Sequence, residues 1–216
     1  MRVLLLFCLL LSKSGFAGEI FSIFPEHIDP NGKYVFYSHG LIVEGDNPSP
    51  KHPRWGVYDY PSVIQALSHT EHYLIAYHRP KNTKPNAFAQ KLADDVLQLI
   101  NKGVKPHNIS LVGFSRGGAI TLLTSKLLAR KDISYIILAG CGPYLKKDQS
   151  LTLHGHIYSI IETSDQLVGS CQALADRSEH VQSFVELTIS TGKEHGAFYT
   201  PLPEWVDPVK EWLVQD

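Results

Sequence analysis

Ile109-Ser110-Leu111-Val112-Gly113-Phe114-Ser115-Arg116-Gly117-Gly118-Ala119 decides the reading of this 216-residue chain. The first six residues are mostly apolar, with β-branched Ile109 and Val112, as in a buried strand. Ala119 to Arg130 is rich in Leu and Ala and reads as a helix. Between them stands Gly113-Phe114-Ser115-Arg116-Gly117, a G-x-S-x-G turn. So sharp a passage from strand to helix holds a serine hydroxyl clear of the sheet. Glycines on either side remove Cβ atoms that would clash. The helix that follows aims its N-terminal amides at the serine, where negative charge would develop. No G-x-G-x-x-G or G-K-[ST] pattern is present, so nucleotide binding has little support.

Outward from this turn, strands and helices alternate. Lys33–Ser38, His72–Tyr77, Ile133–Ala139, Ile157–Ile161 and Phe184–Ile189 read as further strands. Asn86–Lys102 has Phe88, Leu92, Val96 and Leu99 at helical spacing and closes at Gly103. Asp59 is placed to cap a helix with Pro61 in its first turn, and Glu204–Val214 forms the last helix. The pattern predicts an α/β fold with a mostly parallel sheet covered on both faces, in one domain over 18–216. Leu41–Val57 is left as a long polar loop, the kind that is usually functional or mobile.

A serine needs a base, and the base needs an acid. Position selects among the 11 histidines. His195 follows the last strand, in a loop at the same sheet edge as Ser115, and Gly196 lets the chain turn beside it. Asp165 lies one loop past the Ile157–Ile161 strand; its plainer role is a helix N-cap. Glu162 and Asp148 are the alternative acids. His39-Gly40 ends the first strong strand, so the amides of Leu41 and Arg116 are candidates for an oxyanion hole, with His39 structural.

Ser38-His39-Gly40, the Ser115 turn, Thr163-Ser164-Asp165 and Glu194-His195-Gly196 together resemble the α/β-hydrolase superfamily, in its Ser…Asp…His order. The resemblance spans about residues 33 to 214. It implies a serine hydrolase cleaving carboxylic ester, thioester or amide bonds of a small-molecule substrate through an acyl-enzyme. It implies no metal and no cofactor. A non-catalytic binding module of the same fold is the alternative, and within the enzyme class an acyltransferase or peptidase. Two departures stand out. The sheet looks trimmed at its N-terminal side, and Gly140–His154 leaves no room for a helical lid domain. The site should therefore be open, with the Leu41–Val57 loop and its His52, Arg54 and Trp55 placed to line the pocket instead. Arg54 in that loop is either a surface arginine or a contact for an anionic substrate group.

Composition sets the remaining bounds. Apolar residues make up 44% and charged residues 19%, a globular balance, and the formal charge of −1 disfavours nucleic acid. Arg2, the apolar run Val3–Leu11 and Ser14-Gly15-Phe16-Ala17 read as a signal peptide over 1–17, directing the protein to the periplasm or outside the cell. Nine apolar residues are too few to span a bilayer, which takes about 20. Its removal leaves 18 basic and 21 acidic side chains, a charge of −3, and two cysteines. Cys141 and Cys171 sit after neighbouring strand ends, which leaves two readings: one disulfide between them, or two separate thiols. His154-Gly155-His156 has a spacing that can bind metal, with no third ligand nearby.

Overall fold

The computed structural model describes residues 18–214. The expected signal peptide at 1–17 lies outside the described residues. In chain order the elements are β1 (Ile20–Phe21), β2 (Lys33–Ser38), β3 (Lys51–His52), β4 (Gly56–Val57), α1 (Tyr60–Leu67), β5 (His72–Ile75), α2 (Pro85–Asn101), β6 (Ile109–Phe114) and α3 (Arg116–Leu128). There follow β7 (Ser134–Leu138), α4 (Pro143–Lys147), β8 (His154–Glu162), α5 (Gln172–Asp176), β9 (His180–Ile189) and α6 (Pro203–Val214).

Seven strands form one sheet in the order β1-β5-β2-β6-β7-β8-β9, and every neighbouring pair is parallel. Period-two alternation splits its side chains between two cores. Phe36, Leu111 and Ile137 face α2 and α3, while Val35, Tyr37, Val112 and Ile136 face the side of α1 and α6. Both faces being covered explains why β6 and β7 read as continuous apolar runs. Parallel strands joined by crossovers bring the residues after β2, β6, β7, β8 and β9 to one edge. Ser115, Asp165 and His195 collect there.

Several boundaries differ from the sequence reading. α3 begins at Arg116, because Gly117 and Gly118 are tolerated in a first turn buried against the sheet. The trimmed N-terminal side still carries β1, bound through Leu74 N–H to Glu19 O (2.9 Å) and Ala76 N–H to Phe21 O (2.8 Å). Two residues are too short for periodicity to mark. The Leu41–Val57 stretch holds a 3-10 turn at Leu41–Val43 and the β3–β4 hairpin. Asp59 does cap α1, accepting from Ser62 N–H at 3.1 Å.

Candidate active site

Ser115 is the single residue between β6 and α3, at φ 53° and ψ −115°. A non-glycine residue there costs about 1–3 kcal/mol and persists only where its surroundings hold it. Here Ser115 N–H donates to Leu138 O, and Ser115 O accepts from Ala119 N–H, each at 2.9 Å. The flanking glycines are required by contact. A Cβ on Gly113 would strike the Gly117 carbonyl and Thr121 Oγ1, and one on Gly117 would strike the carbonyls of Ser38 and His39.

His195 lies in a 3-10 turn, Glu194–Phe198, after β9. Its Nε2 is 2.8 Å from Ser115 Oγ, and its Nδ1 is 2.6 Å from Asp165 Oδ2. Both side chains are buried. The second Asp165 oxygen accepts from Leu167 N–H at 2.9 Å, so Asp165 shapes a turn and starts no helix; α5 begins only at Gln172. The alternative acids are engaged elsewhere. Asp148 accepts from Ser150 on the α4 side of the cleft. Glu162 accepts from Ser164 N–H (2.7 Å), Thr191 N–H (2.9 Å) and Gly192 N–H (3.0 Å). Burial opposes its ionisation, but these hydrogen bonds outweigh burial and hold its pKa below the ordinary value. Glu162 thereby ties the loop of Asp165 to the loop of His195.

His39-Gly40-Leu41 forms the facing wall. The Gly40 carbonyl accepts from His39 Nδ1–H at 2.8 Å, and Arg79 Nη2–H reaches it at 3.5 Å and the His39 carbonyl more closely. A trans peptide points its C=O and N–H in opposite directions. Holding the Gly40 carbonyl against Arg79 therefore turns the Leu41 N–H away from that buried arginine. Leu41 and Arg116 each open a helical turn, so neither amide has an acceptor within its own turn. Both residues line a cleft of about 430 Å³ with Ser115.

Behind this wall lies a buried polar cluster that sequence reasoning missed. His39 Nε2 accepts from Arg79 N–H at 2.9 Å. Burial, helped by the nearby Arg79 charge, pushes the His39 pKa down to about 2, so the ring is neutral. Glu44 Oε1 sits 3.4 Å from Arg79 Nε and 3.3 Å from Arg116 Nε. One carboxylate thus links the His39–Leu41 wall to the residue after Ser115. No local pattern marks Glu44 or Arg79, which meet only through the fold.

The β3–β4 hairpin packs over the outer side of His195. Glu194 accepts from Trp55 Nε1–H at 2.9 Å and pairs with Arg54 Nη2 at 2.6 Å. The Trp55 ring centre is 5.3 Å from that of His195, and a Cβ on Gly196 would stand 2.6 Å from Trp55 Cβ. Arg54 is thus committed to Glu194. Of the Leu41–Val57 stretch, Leu41 reaches the Ser115 cleft, whereas Trp55 borders a separate hollow with Tyr199.

Cys141 and Cys171 form a disulfide, with Cα atoms 5.3 Å apart. It joins the segment after β7 to the loop that follows Asp165. His154 and His156 have different partners: the first stacks on His180, and the second meets Ser183 Oγ at 2.8 Å. Gly155, at φ 84°, marks a register shift between them. Among the described residues no group of three or more His, Cys, Asp or Glu is placed to hold a metal ion.

No protein-family model and no curated protein matches the chain. Solved structures do. SOBER1 of Arabidopsis thaliana is 14% identical over 84% of this chain and 97% of its own, with a TM-score of 0.54. RedJ, a thioesterase from the prodiginine biosynthetic pathway in Streptomyces coelicolor, is 10% identical over 90% and 95%, at 0.55. DcsB, solved in complex with its substrate analogue, is 12% identical over 86% and 91%, at 0.57. At these identities the likeness speaks for the fold. Seven parallel strands, helices on both faces and similarity over most of each chain give this protein the α/β-hydrolase fold.

Proposed function

We propose that the protein is a serine hydrolase that cleaves carboxylic ester, thioester or amide bonds of small molecules through an acyl-enzyme. One observation carries this reading: the unbroken run from Asp165 Oδ2 through His195 to Ser115 Oγ, at 2.6 and 2.8 Å, ending on a serine held at a strained turn. Asp165 accepts from His195 Nδ1–H, which leaves Nε2 to accept from the Ser115 hydroxyl. As Ser115 Oγ attacks the carbonyl, its proton passes to Nε2, and the Asp165 charge stabilises the imidazolium. The amides of Leu41 and Arg116 receive the oxyanion, aided by the N-terminal end of α3. His195 then returns the proton to the leaving group, and water repeats the sequence to free the acid.

The test is direct. A fluorophosphonate should label the folded protein at Ser115, and Ser115→Ala should lose both labelling and turnover of nitrophenyl esters. Unchanged turnover in that variant would overturn the assignment. Export belongs to the same proposal. It rests on the 1–17 sequence, and the Cys141–Cys171 bond supports an oxidising compartment. Detecting the intact precursor in the cytosol at steady state would count against it.

A further inference from the structure

Large apolar side chains left exposed are ordinary when scattered and informative when they converge. Leu97, Leu127 and Val57 are exposed outside the lining of the Ser115 cleft. Leu41, Tyr144 and Leu167 are 50%, 60% and 52% exposed, and all three line it. They come from three separate parts of the chain: the turn after β2, helix α4, and the loop after Asp165. Pro85, Pro143 and Val168 complete an apolar lining around the serine.

Charge supports the same reading. Among the described residues of this lining, Arg116 is the one charged side chain. Its guanidinium donates to the Thr83 carbonyl at 2.7 Å and faces Glu44 at 3.3 Å. A substrate carboxylate entering the cleft would be desolvated and would have to compete with Glu44 and the Thr83 carbonyl for this guanidinium. The walls are also braced before any ligand arrives. The Cys141–Cys171 disulfide fastens the segment leading into α4 to the loop carrying Leu167 and Val168. A braced wall loses little conformational freedom on binding.

We propose that the substrate carries an uncharged, apolar group of several carbons next to its scissile carbonyl, and that Leu41, Tyr144 and Leu167 hold it. This rests on Ser115 being the nucleophile. Each methylene buried in the cleft adds to transition-state binding, and full burial is worth about fourfold in kcat/KM per methylene. An open cleft reduces this to about two- to fourfold.

The test uses the folded protein with nitrophenyl acetate, butyrate and hexanoate, a series of alkyl acetates, and a nitrophenyl succinate monoester. In at least one series kcat/KM rises about two- to fourfold per methylene, and the succinate monoester falls at least about tenfold below butyrate. In the series that shows this rise, Leu167→Ser and Tyr144→Ser each lower the longest-to-shortest ratio by about threefold or more, whereas Leu97→Ser, outside the cleft, leaves that ratio unchanged. Flat length dependence in both series, or preference for the charged ester, with fluorophosphonate still labelling Ser115, overturns the apolar-substrate inference alone. Neither labelling nor turnover of any ester overturns the hydrolase reading and this inference with it.

Discussion

His39 and His195 stand at the same sheet edge and are almost equally buried, 0% and 4% exposed, yet their chemistry differs. Both ring nitrogens of His39 are committed to main-chain groups, one donating to Gly40 O and the other accepting from Arg79 N–H. A proton added to that ring would meet a donor, next to an arginine charge. His195 lies between a carboxylate and a hydroxyl, so in the proposed mechanism a proton taken from the hydroxyl would be met by the carboxylate. Burial alone therefore does not make a base. The partners on the two nitrogens decide whether a histidine moves a proton or holds a backbone.

Under the proposed mechanism, removing His195 or either of its partners should break this contrast most severely. His195→Ala and Ser115→Ala should each lower kcat by about 10⁵-fold or more, measured on a short-chain nitrophenyl ester. Asp165→Asn should retain the shape of the site but lose about 10⁴-fold, because the imidazole would no longer be held in the required tautomer. A near-normal kcat in Asp165→Asn would mean that His195 does not depend on this carboxylate.

His39→Gln should act through position. The Gly40 carbonyl would lose its fixed donor and the Leu41 amide its orientation. A fall in kcat of about ten- to a hundredfold, with KM little changed, is expected, below the loss from deleting an oxyanion donor outright. His39 should also leave a mark on stability. Its folded pKa is about 2, against an unfolded value near 6.5. Between those limits the unfolded chain binds the proton and the folded chain does not, so stability is full above about pH 6.5 and is lost as pH falls toward 2. From pH 6.5 to 4.5 the loss from this residue is about 2–3 kcal/mol, read from urea midpoints. His72, with a folded pKa of about 4, adds to the same slope. The His39→Gln variant should show a shallower slope; an identical one would remove His39 as a source.

The smallest effect belongs to the hairpin. Arg54→Ala breaks an ion pair whose arginine side chain is 62% exposed, and activity should stay within about twofold of wild type. A loss of tenfold or more would show that Arg54 holds Trp55 over His195, or touches substrate directly.

Much of this architecture was legible before any fold. Period-two and continuous apolar runs marked the main strands, and the helical spacing of Phe88, Leu92 and Val96 marked α2, because both patterns are local. The Ser115 turn was legible for the same reason: its glycines answer contacts made within a few residues and with the adjoining strand end. His195 and Asp165 required one further step, the rule that parallel strands end at a common edge. Glu44 and Arg79 stayed invisible, and nothing local showed that Trp55 would meet Glu194. Each works through a partner at least 35 residues away: Arg79 with Glu44, Trp55 with Glu194.

The sequence by itself determined that a serine would stand between a strand and a helix, and that an acid and a histidine would follow in order. Such features depend on the spacing of residue types along the chain. Only the tertiary structure decided which nitrogen of each histidine meets which partner, and where the exposed leucines and tyrosine converge. It also decided that the arginine beside the serine is already paired. Those outcomes depend on distances of a few ångströms between distant segments, and no local pattern encodes them.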